Sequence, residues 1–323
     1  MNKTLVIGAS GQLGSAVLDQ LQTMGQDCRV FIRPSSNFTH PPFEFIEVAK
    51  GDLSDFPTIN DACIGITTVI STASSIIPRK GDKFGADEVE NYHNLIRSCK
   101  EQNVKHIIYI SAFSSDHDEV VPEFKIKRQI EQLITKSGIP FTIFRAAAFM
   151  DIYYAVMGSS LVMKGVSQPT LLRGFWLAKL YSRLTSGLLE NTGIALLPGN
   201  GNAKQAFISI HDVASFMVKA LSTPTAKNRI IELGGPEALS WRDVADIYAD
   251  VLGVKIRKLC IPSFILNTCR ASLHPFSPAG ENIMSILFLL SRYDVTIDMT
   301  DTCEEFSINL TTTREYLLQK SCI

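Results

Sequence analysis

The sequence predicts an α/β fold, in which a doubly wound parallel sheet is followed by a smaller, mixed C-terminal lobe. Short β-branched segments alternate with helical patterns through the first half, which is typical of βαβ units. Several of those segments are almost entirely apolar, as at residues 106–110, which fits strands buried on both faces. A glycine-rich turn separates the first predicted strand from the first helix.

The predicted elements follow one another in a regular rhythm. Strands are predicted at residues 4–7, 28–32, 43–48, 67–71, 105–110 and 141–144, and helices at 12–24, 87–102 and 123–137. After Arg145 the rhythm changes, with predicted strands at 205–210 and 229–233 and helices at 211–221 and 240–251. Ser240 and Asp243 form a capping-box pattern where the last of these helices begins.

This rhythm predicts two parts of the chain. Residues 1–149, completed by about 205–235, form the sheet domain, and residues 150–204 and 236–323 form a smaller substrate lobe. A chain of 323 residues suits one large domain or two lobes.

The composition excludes several classes of function. The chain carries 31 Lys and Arg against 32 Asp and Glu, without the basic clusters that nucleic-acid binding requires. Seven cysteines include no CxxC pair, and the six histidines lack metal-ligand spacing. We therefore expect reduced thiols in a cytoplasmic protein, with no metal site and a small-molecule substrate.

An apolar stretch at residues 168–190 is interrupted by Arg173, Lys179 and Arg183, so a membrane-spanning helix is not expected there. The pattern predicts an amphipathic helix. Such a helix packs on the core or on a second subunit, as in a homodimer, or it lies on a membrane surface.

The glycine-rich turn predicts a nucleotide site. Gly8 permits a tight turn, Gly11 has no side chain to block a pyrophosphate, and Gly14 lets the helix approach the sheet. The free N–H groups at the start of the helix then bind the phosphates. The turn therefore predicts a Rossmann-type dinucleotide-binding fold. The residues assigned to the cofactor here are Gly8, Ser10, Gly11, Gln12, Leu13 and Gly14.

The end of the second predicted strand indicates which cofactor binds. An acidic residue there would hold the ribose 2′-hydroxyl of NAD, but Ile32 is followed by Arg33. Because arginine binds a 2′-phosphate that a carboxylate would repel, the sequence favours NADP (NADPH) over NAD. A solvated loop cation remains the alternative for Arg33. Asp52 and Leu53 follow the third strand and either flank the adenine or form an ordinary strand-end turn.

Several further segments occur in a characteristic order. These are residues 70–74, Ile110-Ser111, Lys127, residues 138–142, residues 207–214 and residues 233–237. With residues 8–14 and the pair Asp52-Leu53, the chain resembles the NmrA-like, atypical short-chain dehydrogenase/reductase family. The resemblance implies NAD(P)(H) binding, with Ala73 and Ser74 beside the nicotinamide-side ribose and Lys127 within reach of that ribose and the substrate.

The resemblance leaves the proton donor open. The better-known short-chain dehydrogenases have a Tyr four residues before the Lys, where this chain has Glu123. An ionised Glu is a poor proton donor near neutral pH unless its pKa is raised. Lys127 lies on the flank of the buried stripe of its helix, so it either binds the ribose or the substrate or simply pairs with Glu123. If the protein turns over a substrate, Lys127 is the first candidate to stabilise developing oxyanion charge.

Other candidate catalytic groups are weaker. Ser111 ends the fifth strand and could hold a substrate oxygen or cap the strand. Tyr153 and Tyr154 are spare proton donors or core residues. An apolar lining of the substrate lobe is predicted from Phe149, Met150, Tyr153, Met157 and Phe175.

Two main functions fit these features. The first is an NADPH-dependent oxidoreductase that reduces a small apolar acceptor, such as a quinone or enone, by hydride transfer. The second is a non-catalytic NADP(H)-binding redox sensor or regulatory protein, which the missing Tyr favours.

Overall fold

A computed structural model of the chain describes residues 3–36, 38, 46–74, 85, 87–166, 169–170 and 176–322. The strands are β1 (Thr4–Ile7), β2 (Cys28–Ile32), β3 (Ile46–Lys50), β4 (Thr68–Ser71), β5 (His106–Ala112), β6 (Phe141–Ala146), β7 (Ile194–Pro198), β8 (Lys204–Gln205), β9 (Arg229–Leu233), β10 (Leu239–Ser240) and β11 (Arg257–Ile261).

Helices flank these strands along the whole described chain. They are α1 (Gln12–Thr23), α2 (Phe56–Ala62), α3 (Glu88–Glu101), α4 (Pro122–Thr135), α5 (Met150–Val156), α6 (Trp176–Thr185), α7 (Leu188–Thr192), α8 (Ile210–Lys219), α9 (Trp241–Leu252), α10 (Ser263–Leu273), α11 (Pro278–Leu290), α12 (Thr300–Phe306) and α13 (Thr313–Ser321).

Seven strands form one parallel sheet in the order β3-β2-β1-β4-β5-β6-β9. The chain winds outward in one direction from β1 and in the other direction from β4. The carboxyl ends of β1 and β4 therefore flank the switch point, where such sheets bind ligands. Two small sheets, β8 with β10 and β7 with β11, belong to the C-terminal half.

The core covers both faces of the large sheet. One cluster joins α1 and α8 to the sheet, and another joins α2, α3 and α4 to the opposite face. A third cluster underlies the C-terminal half, where edge-on ring contacts link Tyr154, Phe207, Trp241 and Tyr248. The predicted Rossmann-type architecture is therefore confirmed.

Most predicted elements are confirmed to within two residues, but some expectations were wrong or incomplete. The predicted strand at 205–210 is only the two-residue β8 and a single bridge at Ile208, because the Ser209 hydroxyl caps α8 by accepting from the Asp212 N–H. The short α2 was not predicted. The predicted strand at 43–48 is observed as β3, and residues 43–45 lie outside the described residues.

The glycine turn has the close geometry that the sequence predicts. Gly8 adopts φ +87°, in the left-handed region that favours glycine. A Cβ at Gly14 would lie 2.2 Å from the Gly8 carbonyl oxygen. That oxygen belongs to the backbone, so it cannot move aside as a flexible side chain could. Gly14 therefore sets how closely α1 approaches β1.

Replacing Gly14 by Ala is expected to destabilise the fold by about 1–3 kcal/mol, because the added methyl group forces α1 away from the turn. Urea unfolding measures this change. Ser15→Ala on the same helix is the control, with a change within about 0.5 kcal/mol. If both variants unfold at the same urea concentration, the close approach of α1 to the turn at Gly14 does not contribute to the free energy of unfolding.

The amphipathic helix predicted within 168–190 is observed in part, as α6 and the start of the short α7, while residues 168 and 171–175 lie outside the described residues. Ala178 packs against Ala279 of α11, and Trp176 and Leu184 on α6 are 65% and 72% exposed. Among the described helices, none is long and apolar enough to cross a membrane.

Candidate functional site

A cavity of about 580 Å³ opens at the switch point of the sheet. Its wall contains all the residues that the sequence assigned to cofactor binding, and Lys127, Ser111 and Tyr153 among the candidate catalytic groups. The cofactor-binding set is Gly8, Ser10, Gly11, Gln12, Leu13, Gly14, Arg33, Asp52, Leu53, Ala73, Ser74 and Lys127. The fold thus brings them together, and the roles assigned to them stay predictions.

The part of the cavity beside the glycine turn suits an anion. The N-cap of α1 is Gly11, which offers no side-chain cap, and the first turn of α1 carries no acidic residue. Its N–H groups are therefore available to phosphate oxygens. Gln12 Oε1 accepts a hydrogen bond from the Thr170 N–H at 2.8 Å, which brings a residue from the 168–190 stretch to this rim.

The part of the cavity beside the ends of β2 and β3 combines a cation with a tight turn. Arg33 directly follows β2 and is half-buried at the cavity wall. Asp52 Oδ1 accepts hydrogen bonds from the Ser54 N–H at 3.0 Å and from the Ser54 hydroxyl at 2.8 Å. This carboxylate therefore also organises the turn after β3, which is the alternative that the sequence left open.

Lys127 is a buried cation of the cavity wall, with only 3% of its surface exposed. Its Nζ lies 3.8 Å from Glu88 Oε1 of α3 and 5.1 Å from the centre of the Tyr109 ring. The ion pair of Lys127 is therefore with Glu88. The i,i+4 ion pair of Lys127 with Glu123, which the sequence left open, is not among the ion pairs within 4.0 Å that the described residues form.

Glu123 is a buried carboxyl on the same wall, one helical turn before Lys127. Asn282 of α11 donates from Nδ2 to Glu123 Oε2 at 3.3 Å, and Asn282 Oδ1 accepts from the Glu123 N–H at 2.9 Å. Burial raises the pKa of Glu123 from 4.5 to about 7, although Lys127 and the Asn282 hydrogen bond oppose the rise. The condition that sequence reasoning set for a proton-donating Glu is therefore met.

Ser111 also lines the cavity, but its hydroxyl already forms hydrogen bonds with two side chains of α4. It donates to Glu131 Oε1 at 2.5 Å and accepts from Arg128 Nη1 at 3.2 Å. Arg145 Nη2 lies 2.7 Å from the other oxygen of Glu131. This ion-pair network ties α4 to the ends of β5 and β6, and so it positions the wall.

The wall opposite the sheet is apolar, and its composition differs from the prediction. Phe149 and Tyr153 line the cavity as predicted, but Met150 and Met157 are wholly buried in the core, and Phe175 lies outside the described residues. Further apolar residues supply the remaining wall: Ile152, Val156, Ile283, Ile286 and Leu287.

The two adjacent tyrosines of α5 differ in position. Tyr153 faces the cavity, and burial together with the nearby Glu123 carboxyl raises its pKa. Tyr154 is fully buried, and its hydroxyl lies 2.7 Å from the Thr313 hydroxyl. Tyr154 is therefore a core residue.

Sequence reasoning missed the contribution of α11 to this site. Asn282 lies 159 positions from Glu123 along the chain and is a polar residue within a largely apolar helix. This polar position within an apolar segment was the signal that the sequence offered, but nothing in the sequence indicates that Asn282 contacts α4. The described residues contain no cluster of three or more His, Cys, Asp or Glu that could hold a metal ion.

Comparisons with known proteins agree with this architecture. The family model described as the NmrA-like family matches residues 1–317. The photosystem II assembly factor Ycf39 of Trieres chinensis is 27% identical over 299 residues, covering 92% of this chain and 83% of that protein. The phenylcoumaran benzylic ether reductase TP7 of Nicotiana tabacum is 24% identical over 277 residues, covering 81% and 78%.

Solved structures share the fold. The NADPH-dependent quinone oxidoreductase QOR2 of Escherichia coli, complexed with NADPH, superposes with a TM-score of 0.71 at 17% identity. The alignment covers 98% of this chain and 99% of that one. At this level of identity the similarity shows the fold alone.

Proposed function

The chain belongs to the NmrA-like family, and on that basis we propose that it is an NADPH-dependent oxidoreductase that reduces a small apolar acceptor of the quinone or enone type. The observation that carries the proposal is one continuous cavity. It runs from Arg33, past the uncapped glycine turn, to the buried Lys127 beneath an apolar wall.

Each region of the cavity suits one part of this reaction. The α1 N-terminus binds the pyrophosphate, and Arg33 binds the 2′-phosphate of the adenosine ribose. The bound nicotinamide supplies a hydride. Lys127 stabilises negative charge that develops on the acceptor oxygen, and its burial strengthens this interaction because little water screens it. The apolar wall formed by α5 and α11 binds the acceptor and excludes water.

Cofactor oxidation across a panel of quinones and enones tests the proposal. We expect turnover with NADPH for at least one apolar acceptor, and much slower turnover with NADH. Absence of turnover across the panel, together with measurable NADPH binding, would count against an enzyme and favour the alternative below.

Replacing Arg33 by Ala is expected to weaken NADPH binding by about 10- to 100-fold, since a charge-assisted contact worth about 1.5–3 kcal/mol is lost. NADH binding should change little, because NADH has no 2′-phosphate. Arg33→Asp should reduce the preference for NADPH over NADH further than Arg33→Ala does. Titration calorimetry with both cofactors measures the change, and equal weakening of the two would remove the argument for NADPH.

A non-catalytic NADP(H)-binding redox sensor is the second candidate. Two observations favour it: Glu123 stands where the better-known short-chain dehydrogenases have a Tyr, and a relative is named a photosystem II assembly factor. A sensor would bind NADPH and NADP with clearly different affinities and would oxidise NADPH with no acceptor of the panel.

A further inference from the structure

We propose that Glu123 is the proton donor of this site, and that its carboxyl passes a proton to the acceptor oxygen that Lys127 stabilises. This inference rests on the proposed reductase function. It replaces the missing tyrosine by a different chemical group at the same wall of the cavity.

The position of Glu123 is fixed by Asn282. A backbone N–H can only donate, so the amide oxygen of Asn282 must face the Glu123 N–H, at 2.9 Å. The amide nitrogen is thereby directed at Oε2, to which it donates at 3.3 Å. Because Oε2 accepts this hydrogen bond, the acidic proton belongs on Oε1, which has no hydrogen-bond partner among the described residues.

Burial favours a neutral Glu123, because taking a carboxylate out of water penalises its charged form. The charge of Glu88, which lies in an ion pair with Lys127, acts in the same direction. The charge of Lys127 and the Asn282 hydrogen bond act against it, but burial is the largest of these effects. The polar and titratable groups facing it come from α3, α4, β5, α5 and α11 and are Glu88, Lys127, Tyr109, Tyr153 and Asn282.

The proposed step balances. The O–H bond at Glu123 Oε1 breaks and a new O–H bond forms on the acceptor, while Lys127 stabilises the developing oxyanion. Together with a hydride from the reduced nicotinamide, this proton completes a two-electron reduction. Glu123 is left as a carboxylate and regains its proton from solvent before the next turnover.

The activity test compares the pH dependence of kcat/KM for wild type, Glu123→Gln and Glu123→Asp with the best acceptor of the panel. Wild-type kcat/KM should fall as the pH rises through about 7, because the donor must be protonated. Glu123→Gln should lose about 100-fold or more and should lack this decrease. Glu123→Asp, which keeps a titrating carboxyl, should recover part of the rate.

A second measurement needs no acceptor. Because its folded pKa is raised above the ordinary value, a protonated Glu123 stabilises the fold fully below pH 4.5, and this contribution is lost as the pH rises through about 7. Gln cannot titrate. The melting temperature of Glu123→Gln relative to wild type should therefore increase between about pH 5 and pH 8. Glu119→Gln, at an exposed glutamate before α4, is the control and should show no such change.

The outcomes separate the two proposals. If wild type turns over an acceptor and Glu123→Gln retains both the rate and its decrease with pH, the proton-donor role is wrong while the reductase function stands. If no acceptor is reduced, both fail. In that case the stability comparison still reports whether the buried carboxyl is protonated, and an unchanged melting difference would overturn that assignment too.

Discussion

Replacing Lys127 by Met is expected to lower kcat about 100- to 1,000-fold, the range found when one donor to a developing oxyanion is removed. Met matches the length of the lysine chain, so it keeps most of the packing while it removes the charge. The buried position of Lys127 on the cavity wall makes the effect large, because little water is available to replace the ammonium group.

Lys125→Met provides a matched control on the same helix. Lys125 is exposed to solvent, whereas Lys127 lies in the cavity wall, so Lys125→Met should retain wild-type turnover. Both variants should be assayed well below their melting temperatures, because Lys127→Met also deprives Glu88 of a cation. A Lys127→Met protein with full turnover and a lowered melting temperature would identify the lysine as a structural partner of Glu88 alone.

Replacing Glu131 by Ala is expected to destabilise the fold by about 3–5 kcal/mol, as for other buried ion pairs that lose one partner. Arg128 and Arg145 would each lose a carboxylate oxygen, at 2.6 Å and 2.7 Å. Each arginine side chain is about 20% exposed, so solvent should keep the loss near the lower end of that range. Urea unfolding measures the difference.

The surface pair of Arg97 and Glu101, at 3.0 Å, supplies the control, and Glu101→Ala should change stability by about 0.5 kcal/mol or less. The pH dependence offers a further check. Burial acts to raise the pKa of Glu131, but hydrogen bonds from Arg145 and Ser111 and the charge of Arg128 outweigh it and hold the pKa below 4.5. The stabilisation is therefore fully present above pH 4.5 and should be lost as the pH falls through the folded pKa. A Glu131→Ala penalty no larger than that of Glu101→Ala would contradict this account.

The local sequence was sufficient for much of the fold and for part of the site. The strands at 4–7, 28–32 and 229–233 have the predicted bounds, because period and composition over a few residues determine whether a segment can be a buried strand. The glycine turn could also be predicted from the sequence, since Gly8 and Gly14 stand at positions where only glycine fits sterically. Arg33 could be placed because it directly follows a recognisable strand.

Only the tertiary structure decided which partners the buried charges have. Periodicity placed Lys127 at the edge of the core, but its partner, Glu88, lies on another helix, and Glu123 is held from α11 by Asn282. The strength of a charge interaction and the pKa of a carboxyl depend on burial and on neighbours far away in the chain, which hydrophobic periodicity does not encode. For that reason the sequence identified the cavity and Lys127, whereas the pKa of Glu123 depended on how α4, α3 and α11 pack together.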